Sequence, residues 1–218
     1  RLRRNRIARN FRDFPLFRAP QNLLNAVSRN FPVFLFSSMF GASVAGFYAI
    51  GQRVLQLPIA LVSRSVGKVL LPRLAEVAQE GKPIRATVLK STLGLALVGV
   101  VPFGLVIAFG PSLFGFVFGA EWETAGNIAR WLSLWLYLGF VNVPSVQSLA
   151  FTNSQHFLLV WEILTTISKV LAIVLGARLT HDIMRTVQLY SLIGSAAYMV
   201  LILEALRRAG VPERIRPV

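Results

Sequence analysis

The sequence predicts an all-α integral membrane protein, a six-helix transmembrane bundle with several proline-kinked helices. Three observations predict it. Of 218 residues, 55% are hydrophobic and only 15% charged, where a soluble domain carries about 25% charge. The apolar residues gather into six segments, each long enough to cross a hydrocarbon core of roughly 30 Å. The positive charge flanks those segments: seven of the nineteen arginines lie in residues 1–18, and four more are Arg207, Arg208, Arg214 and Arg216. A net charge of +14 on a soluble face would suit nucleic acid. Basic flanks around apolar spans instead follow the positive-inside rule, so no nucleic-acid partner is expected.

Residues 1–19 read as a basic cytoplasmic segment. They have no apolar run directly behind them, so they do not form a signal peptide. The first span is expected over about 20–43 and the second over about 46–71. The polar stretch "PRLAEVAQEGKPIR" then reads as a solvent loop with Gly81 and Pro83 as turn residues. The third span covers about 86–110, followed by a break in "GPSLFGFVFGAEWE". The remaining spans cover about 125–151, 156–178 and 183–206, and residues 209–218 form a basic cytoplasmic tail. Short alternating segments, the mark of a membrane β-barrel, do not occur. The first residue is Arg rather than Met, and the chain reads as the C-terminal part of a longer protein.

Lysine and arginine in the connections set the orientation. The N-terminal segment, the loop with Arg73, Lys82 and Arg85, and the tail go inside. The uncharged turn at 41–46 and the break with Glu121 and Glu123 go outside. The turn bearing Arg178 and Arg185 fits the outside poorly. Six spans with both ends cytoplasmic is the consistent reading.

Pro32, Pro58, Pro102 and Pro144 fall near the middle of four spans. Each removes a backbone hydrogen bond and bends a helix. Proline is common in membrane helices, but four kinked spans also suit a bundle that moves.

The second span carries Arg53, Arg64 and Lys68 with no acid. Each charge at a bilayer centre costs about 2.5 to 3.5 kcal/mol, so the three must meet water or a partner. At 100° per residue they share one stripe, with Leu57 and Ala60 between them. Lys68 lies within a turn of Pro72 and its stem can also reach the interface. In the first span Asn22, Asn25 and Arg29 form a polar face. In the fifth, Glu162, Thr165, Thr166 and Lys169 form another. Glu162 is the one acid deep in a span; it serves either as an ion-pair partner of Lys169, Arg53 or Arg29, or in coupling. Glu123, Asn127 and Arg130 read as an interfacial cluster, and Asn142, Ser145 and Ser148 as a neutral polar patch beside Pro144. The inward inventory is therefore cationic: Arg29, Arg53, Arg64, Lys68 and Lys169 against Glu162. A cationic cavity suits an anionic substrate, and the arginine fork suits phosphate.

Enzyme signatures are missing, and the chain is not expected to be an enzyme or to carry a metal or cofactor. Cysteine is absent, and Asp13 and Asp182 are the only aspartates. His156 and His181 sit at span ends without ligand spacing, and no phosphate-binding loop or nucleophile elbow occurs. Gly115 and Gly119 form a G-x-x-x-G at a predicted break, a weak packing signal.

Three stretches, "FPLFRAPQNLLNAVS", "GFYAIGQRVLQLP" and "LFGFVFGAEWETAG", resemble the C-terminal half of bacterial polysaccharide (O-antigen-type) flippases of the multidrug/oligosaccharidyl-lipid/polysaccharide exporter superfamily. The resemblance spans roughly residues 11–208. It implies one half of a two-bundle transporter in the bacterial inner membrane, partnered by the missing N-terminal half of the same protein and by membrane lipid. It also implies a lipid-linked oligosaccharide substrate with an anionic pyrophosphate head group, flipped by alternating access for lipopolysaccharide-type surface polysaccharide. The motif arginine falls on Arg53. Arg64, Arg29, Lys68 and Lys169 join it on helical spacing alone. Alternatives are a peptidoglycan-precursor flippase, a drug/cation antiporter with more buried acids, or a membrane-embedded glycosyltransferase, ligase or polymerase. The last needs a large outer loop, and the longest here is about fourteen residues.

Overall fold

The computed structural model describes residues 30–151 and 154–210, apart from the side chains of Arg64 and Gln155. The basic segment 1–19, the tail 211–218, the start of the first predicted span, and Asn22, Asn25 and Arg29 lie outside the described residues. What is described is an all-helical membrane bundle. Helix α1 is Asn30–Phe40. It is followed by α2 (Ala42–Gln79) and α3 (Arg85–Phe118), then by a 3₁₀ turn, Ala120–Trp122. The chain continues through α4 (Glu123–Val141), α5 (Val143–Phe151), α6 (Gln155–Thr180) and α7 (Ile183–Arg208).

Successive passes alternate in direction. At one end, here the near end, the Arg85 amide donates to the Ala209 carbonyl at 3.1 Å, joining the start of α3 to the end of α7. At the far end, Phe47 of α2 meets Trp122 edge-on at 5.5 Å. The loop after α2, the α5–α6 turn and Ala209 are near; Gly41, the 3₁₀ turn and His181 are far. With α4 and α5 counted as one pass, five helices among the described residues are long and apolar enough to cross a membrane, and α1 is a shorter apolar helix of 11 residues. Apolar side chains face outward along them. Leu97 is 76% exposed and Phe116 90% exposed on α3, and Val160, Ile163, Leu164, Ile167 and Leu171 make an exposed row on α6. Such a belt belongs against lipid, because helices satisfy their own backbone there.

Several predicted boundaries move. The second span does not end at 71: α2 runs 38 residues to Gln79, about 57 Å at 1.5 Å per residue. Residues 72–79 are therefore helix rather than solvent loop. Hydropathy falls there because the helix leaves the lipid, not because it stops. Leu74 stays fully buried against Ile84, Val88 and Ala209, while Arg73 and Glu76 pair across one turn at 2.8 Å on the opposite side. The third span likewise continues past 110 to Phe118, since Phe114 is buried in the main core. The fourth is interrupted at Asn142. Pro144 has no N–H, so the Phe140 carbonyl loses its partner four residues on, and the chain restarts as α5 with the proline in its first turn, where proline is tolerated. By contrast α2 and α3 stay helical through Pro58 and Pro102; Pro32 is the third residue of α1.

Helix α4 is the hub. Its Ala125, Ile128, Ala129, Leu132 and Phe140 are buried in the principal core with Phe36, Tyr48, Phe103 and Tyr190 of four other helices. Small residues let the helices close on one another, as membrane packing requires. A Cβ on Gly110 of α3 would lie 2.6 Å from the Gly126 carbonyl oxygen of α4.

Candidate functional site

The described residues of the cationic inventory, Arg53, Lys68 and Lys169, occupy two separate places. The first is the outer face of α2. Tyr48, Gly51, Gln52, Leu55, Leu70 and Leu74 turn inward and are buried. Arg53, Leu57, Ala60, Leu61 and Lys68 are exposed on the other side. The period that packs α2 against α4 thus points the charged stripe away from this bundle. Arg64 belongs to the same helix, but its side chain is not described. Among the described residues neither Arg53 nor Lys68 makes an ion pair, and Leu57 between them is 66% exposed.

The second place is a cavity of about 290 Å³ inside the near half of the bundle. It is lined by Ser63 of α2, Trp135 and Asn142 at the end of α4, Gln147 of α5, Trp161, Glu162 and Lys169 of α6, and Tyr198 of α7. Two local features build it. The interruption at Asn142 separates α4 from α5 where both border the cavity, and Gly139 lets Tyr198 approach, since a Cβ there would meet its ring at 3.0 Å. Glu162 and Lys169 are seven residues apart on α6 and reach the same cavity. Among the described residues Glu162 has no ion pair with Lys169 or Arg53. The Lys169 ammonium instead lies 5.3 Å from the centre of the Trp135 ring, a cation–π contact that is stronger once desolvated. Trp135 also stacks on Tyr198, with ring planes 7° apart.

Asn142, Ser145 and Ser148 are all buried. The Ser148 hydroxyl donates to the Ser145 carbonyl at 2.8 Å. The Oδ1 of Asn142 and the Oγ of Ser145 have no hydrogen-bond partner among the described residues. Arg130 leaves its predicted interfacial cluster in one respect: it donates to the Ala108 carbonyl of α3 at 3.1 Å, tying α4 to the turn before Pro111.

Sequence reasoning found Glu162, Lys169 and Asn142 but missed Trp135, Trp161, Gln147, Tyr198 and Ser63. Leu158, Glu162, Thr165 and Lys169 follow a helical repeat that marks the α6 face. Trp161 lies on α6 itself beside Glu162; Ser63, Trp135, Gln147 and Tyr198 come from four other helices and carry no comparable signal. Among the described residues no group of three or more His, Asp or Glu side chains is placed to hold a metal ion.

Residues 4–127, more than half of the chain, match the family described as polysaccharide biosynthesis protein. The match covers α1 to α3 and the start of α4, and so includes the α2 stripe. It stops before the α5, α6 and α7 walls of the cavity. No curated protein and no solved structure matches the chain significantly.

Proposed function

The chain belongs to the polysaccharide biosynthesis protein family, and from that premise we propose that it is part of a flippase for a lipid-linked oligosaccharide. It carries the anionic head group of the lipid across a bacterial inner membrane by alternating access. The cargo is a glycan of the O-antigen type, destined for the cell surface, and both ends of the chain are cytoplasmic. The stripe Arg53, Arg64 and Lys68 takes the pyrophosphate, with Arg29 contributing. Lys169 sits apart from these, in the inner cavity. A second bundle of the same protein faces the stripe and completes the path.

The observation that carries this reading is the exposed, unpaired stripe on α2. Arg53 and Lys68 have no acid beside them on their own helix and no ion-pair partner in the described bundle. Each cation would cost about 2.5 to 3.5 kcal/mol in lipid, so a stripe of them favours a wet path and an anionic ligand. Arginine holds phosphate by two parallel hydrogen bonds. The antiporter alternative wants deep acids, and the spans offer Glu162 alone. Glu162 sits in the cavity away from the stripe, where a coupling role stays compatible with the proposal.

The test is Arg53→Ala together with Arg64→Ala in the full-length protein. A hydrogen bond to a charged group is worth about 1.5 to 3 kcal/mol, so each loss should weaken binding about tenfold or more. Surface polysaccharide should fall to background while the protein remains in the membrane at normal abundance. Normal surface polysaccharide in the double variant overturns the phosphate role of the stripe.

A further inference from the structure

We propose that the cavity at the α4–α5 interruption is a sugar-binding subsite, holding a ring of the glycan while the α2 stripe holds the phosphate. The inference rests on the flippase reading and adds a second site to it.

Three features point to a neutral sugar. The first is size. About 290 Å³ lies just below the roughly 300 to 1,000 Å³ typical of small-ligand pockets, too small for a long acyl chain and ample for a sugar ring. The second is the mixture of surfaces. Trp135, Trp161 and Tyr198 supply aromatic area, while Asn142, Gln147, Glu162, Lys169 and Ser63 supply polar atoms. A pyranose has the matching character, with C–H groups on its faces and hydroxyls around its rim. The third is unmet hydrogen bonding. Asn142 is 2% exposed, lines the cavity, and no described protein group meets its Oδ1. A buried amide oxygen left unpaired costs about 1 to 3 kcal/mol, a cost removed when the Asn142 amide turns that oxygen to a donating sugar hydroxyl in the cavity.

The charges argue against other occupants. Glu162 and Lys169 cancel, so the cavity lacks the excess positive charge that phosphate needs. A single carboxylate is also a poor cage for a bare cation, which takes several oxygen ligands. A hydroxylated ring uses both: Glu162 accepts from a hydroxyl and Lys169 donates to one.

The experiment uses the full-length protein in proteoliposomes, with other cysteines removed and one introduced as a reporter. Ser63→Cys reports on the cavity and Leu57→Cys on the stripe. Maleimide labelling is measured with two probes: the lipid-linked oligosaccharide extracted from the source cells, and the same lipid pyrophosphate stripped of its sugars. The expected result is that Ser63→Cys is protected several-fold by the glycosylated lipid alone, whereas Leu57→Cys is protected by both. If Leu57→Cys is protected by both lipids and Ser63→Cys by neither, the sugar subsite is wrong and the flippase reading stands. If the stripped lipid protects Ser63→Cys equally, the cavity holds head group or tail and the sugar assignment falls. If neither reporter is protected by either lipid, both proposals fall. Asn142→Leu is the companion variant. Replacing an unpaired buried amide with an apolar side chain of similar volume should not lower thermal stability. It should abolish the protection of Ser63→Cys by the glycosylated lipid while leaving Leu57→Cys protected. Unchanged protection of Ser63→Cys in that background removes Asn142 from the site and overturns the proposal.

Discussion

At the scale of single residues, the closest approach in the bundle is made by glycines that no sequence motif flagged. The G-x-x-x-G of Gly115 and Gly119 was the visible pattern, yet Gly119 ends α3 at φ 106° and a Cβ there meets nothing within 4 Å. The tight contact is Gly110 against Gly126, one on each side of the far-end turn. A Cβ on Gly126 would sit 2.6 Å from Pro111 Cα and 2.7 Å from the Gly110 carbonyl carbon. Both are backbone atoms that no rotamer change can move. Gly126→Ala should therefore force α3 and α4 apart and cost about 1 to 3 kcal/mol, in line with other overpacked cores. Gly94→Ala, where nothing lies within 4 Å, is the control and should leave stability unchanged or slightly raised. Thermal unfolding of the two purified variants checks this, and equal midpoints would contradict the close approach. Arg53 is the opposite case: its place in a motif and on a charged stripe was legible, because identity and period are sequence properties.

At the scale of elements, the presence and order of long apolar helices were readable and their ends were not. Leu74 shows why. It belongs to a polar stretch by composition, but it is fully buried because Ile84, Val88 and Ala209 lie against it. The neighbours that keep residues 72–79 helical come from elsewhere in the chain. Prolines divide in the same way. Pro144 coincides with an interruption, whereas α2 and α3 run on through Pro58 and Pro102. Within α2, Pro58 still denies a hydrogen bond to the Val54 carbonyl. Proline costs a helix interior about 3 kcal/mol, so Pro58→Ala should stiffen α2 at the level of the stripe. The expected outcome is slower flipping of a fluorescent lipid-linked oligosaccharide in proteoliposomes, with binding retained. A wild-type rate would mean that the proline does not serve as a hinge.

At the scale of the whole molecule, the alternating helices of the described residues place the connections on two sides, and the charges divide with them. The near end carries Arg73, Lys82, Arg85, Lys90, Arg207 and Arg208; the far end carries Arg130, Arg178 and Arg185. The turn that opposed the expected orientation is partly neutralised by structure: Asp182 caps α7, accepting from the Met184 amide at 2.7 Å, and lies 3.7 Å from Arg185. Under the positive-inside rule this division favours the proposed orientation, with the near end in the cytoplasm. A Lys82→Cys variant should react with a membrane-impermeant maleimide only after the inner membrane is opened, and Glu121→Cys should react in cells with only the outer membrane permeabilised. The reverse pattern would invert the orientation.

The sequence by itself determined the fold class and which helices carry charge, because lipid allows so few ways to satisfy a backbone and to place an ion. Periodicity also showed that Arg53 and Lys68 share a face, as Glu162 and Lys169 do. It could not say what each face is opposed to. That was decided by tertiary packing: α2 commits its aromatic and leucine side to α4 and turns its cations outward, while α6 turns its Glu162 and Lys169 inward onto Trp135. Two stripes that look alike along the chain therefore become an outer cationic surface and an inner aromatic cavity. A helix has two sides, and only the neighbouring helices select which one is covered.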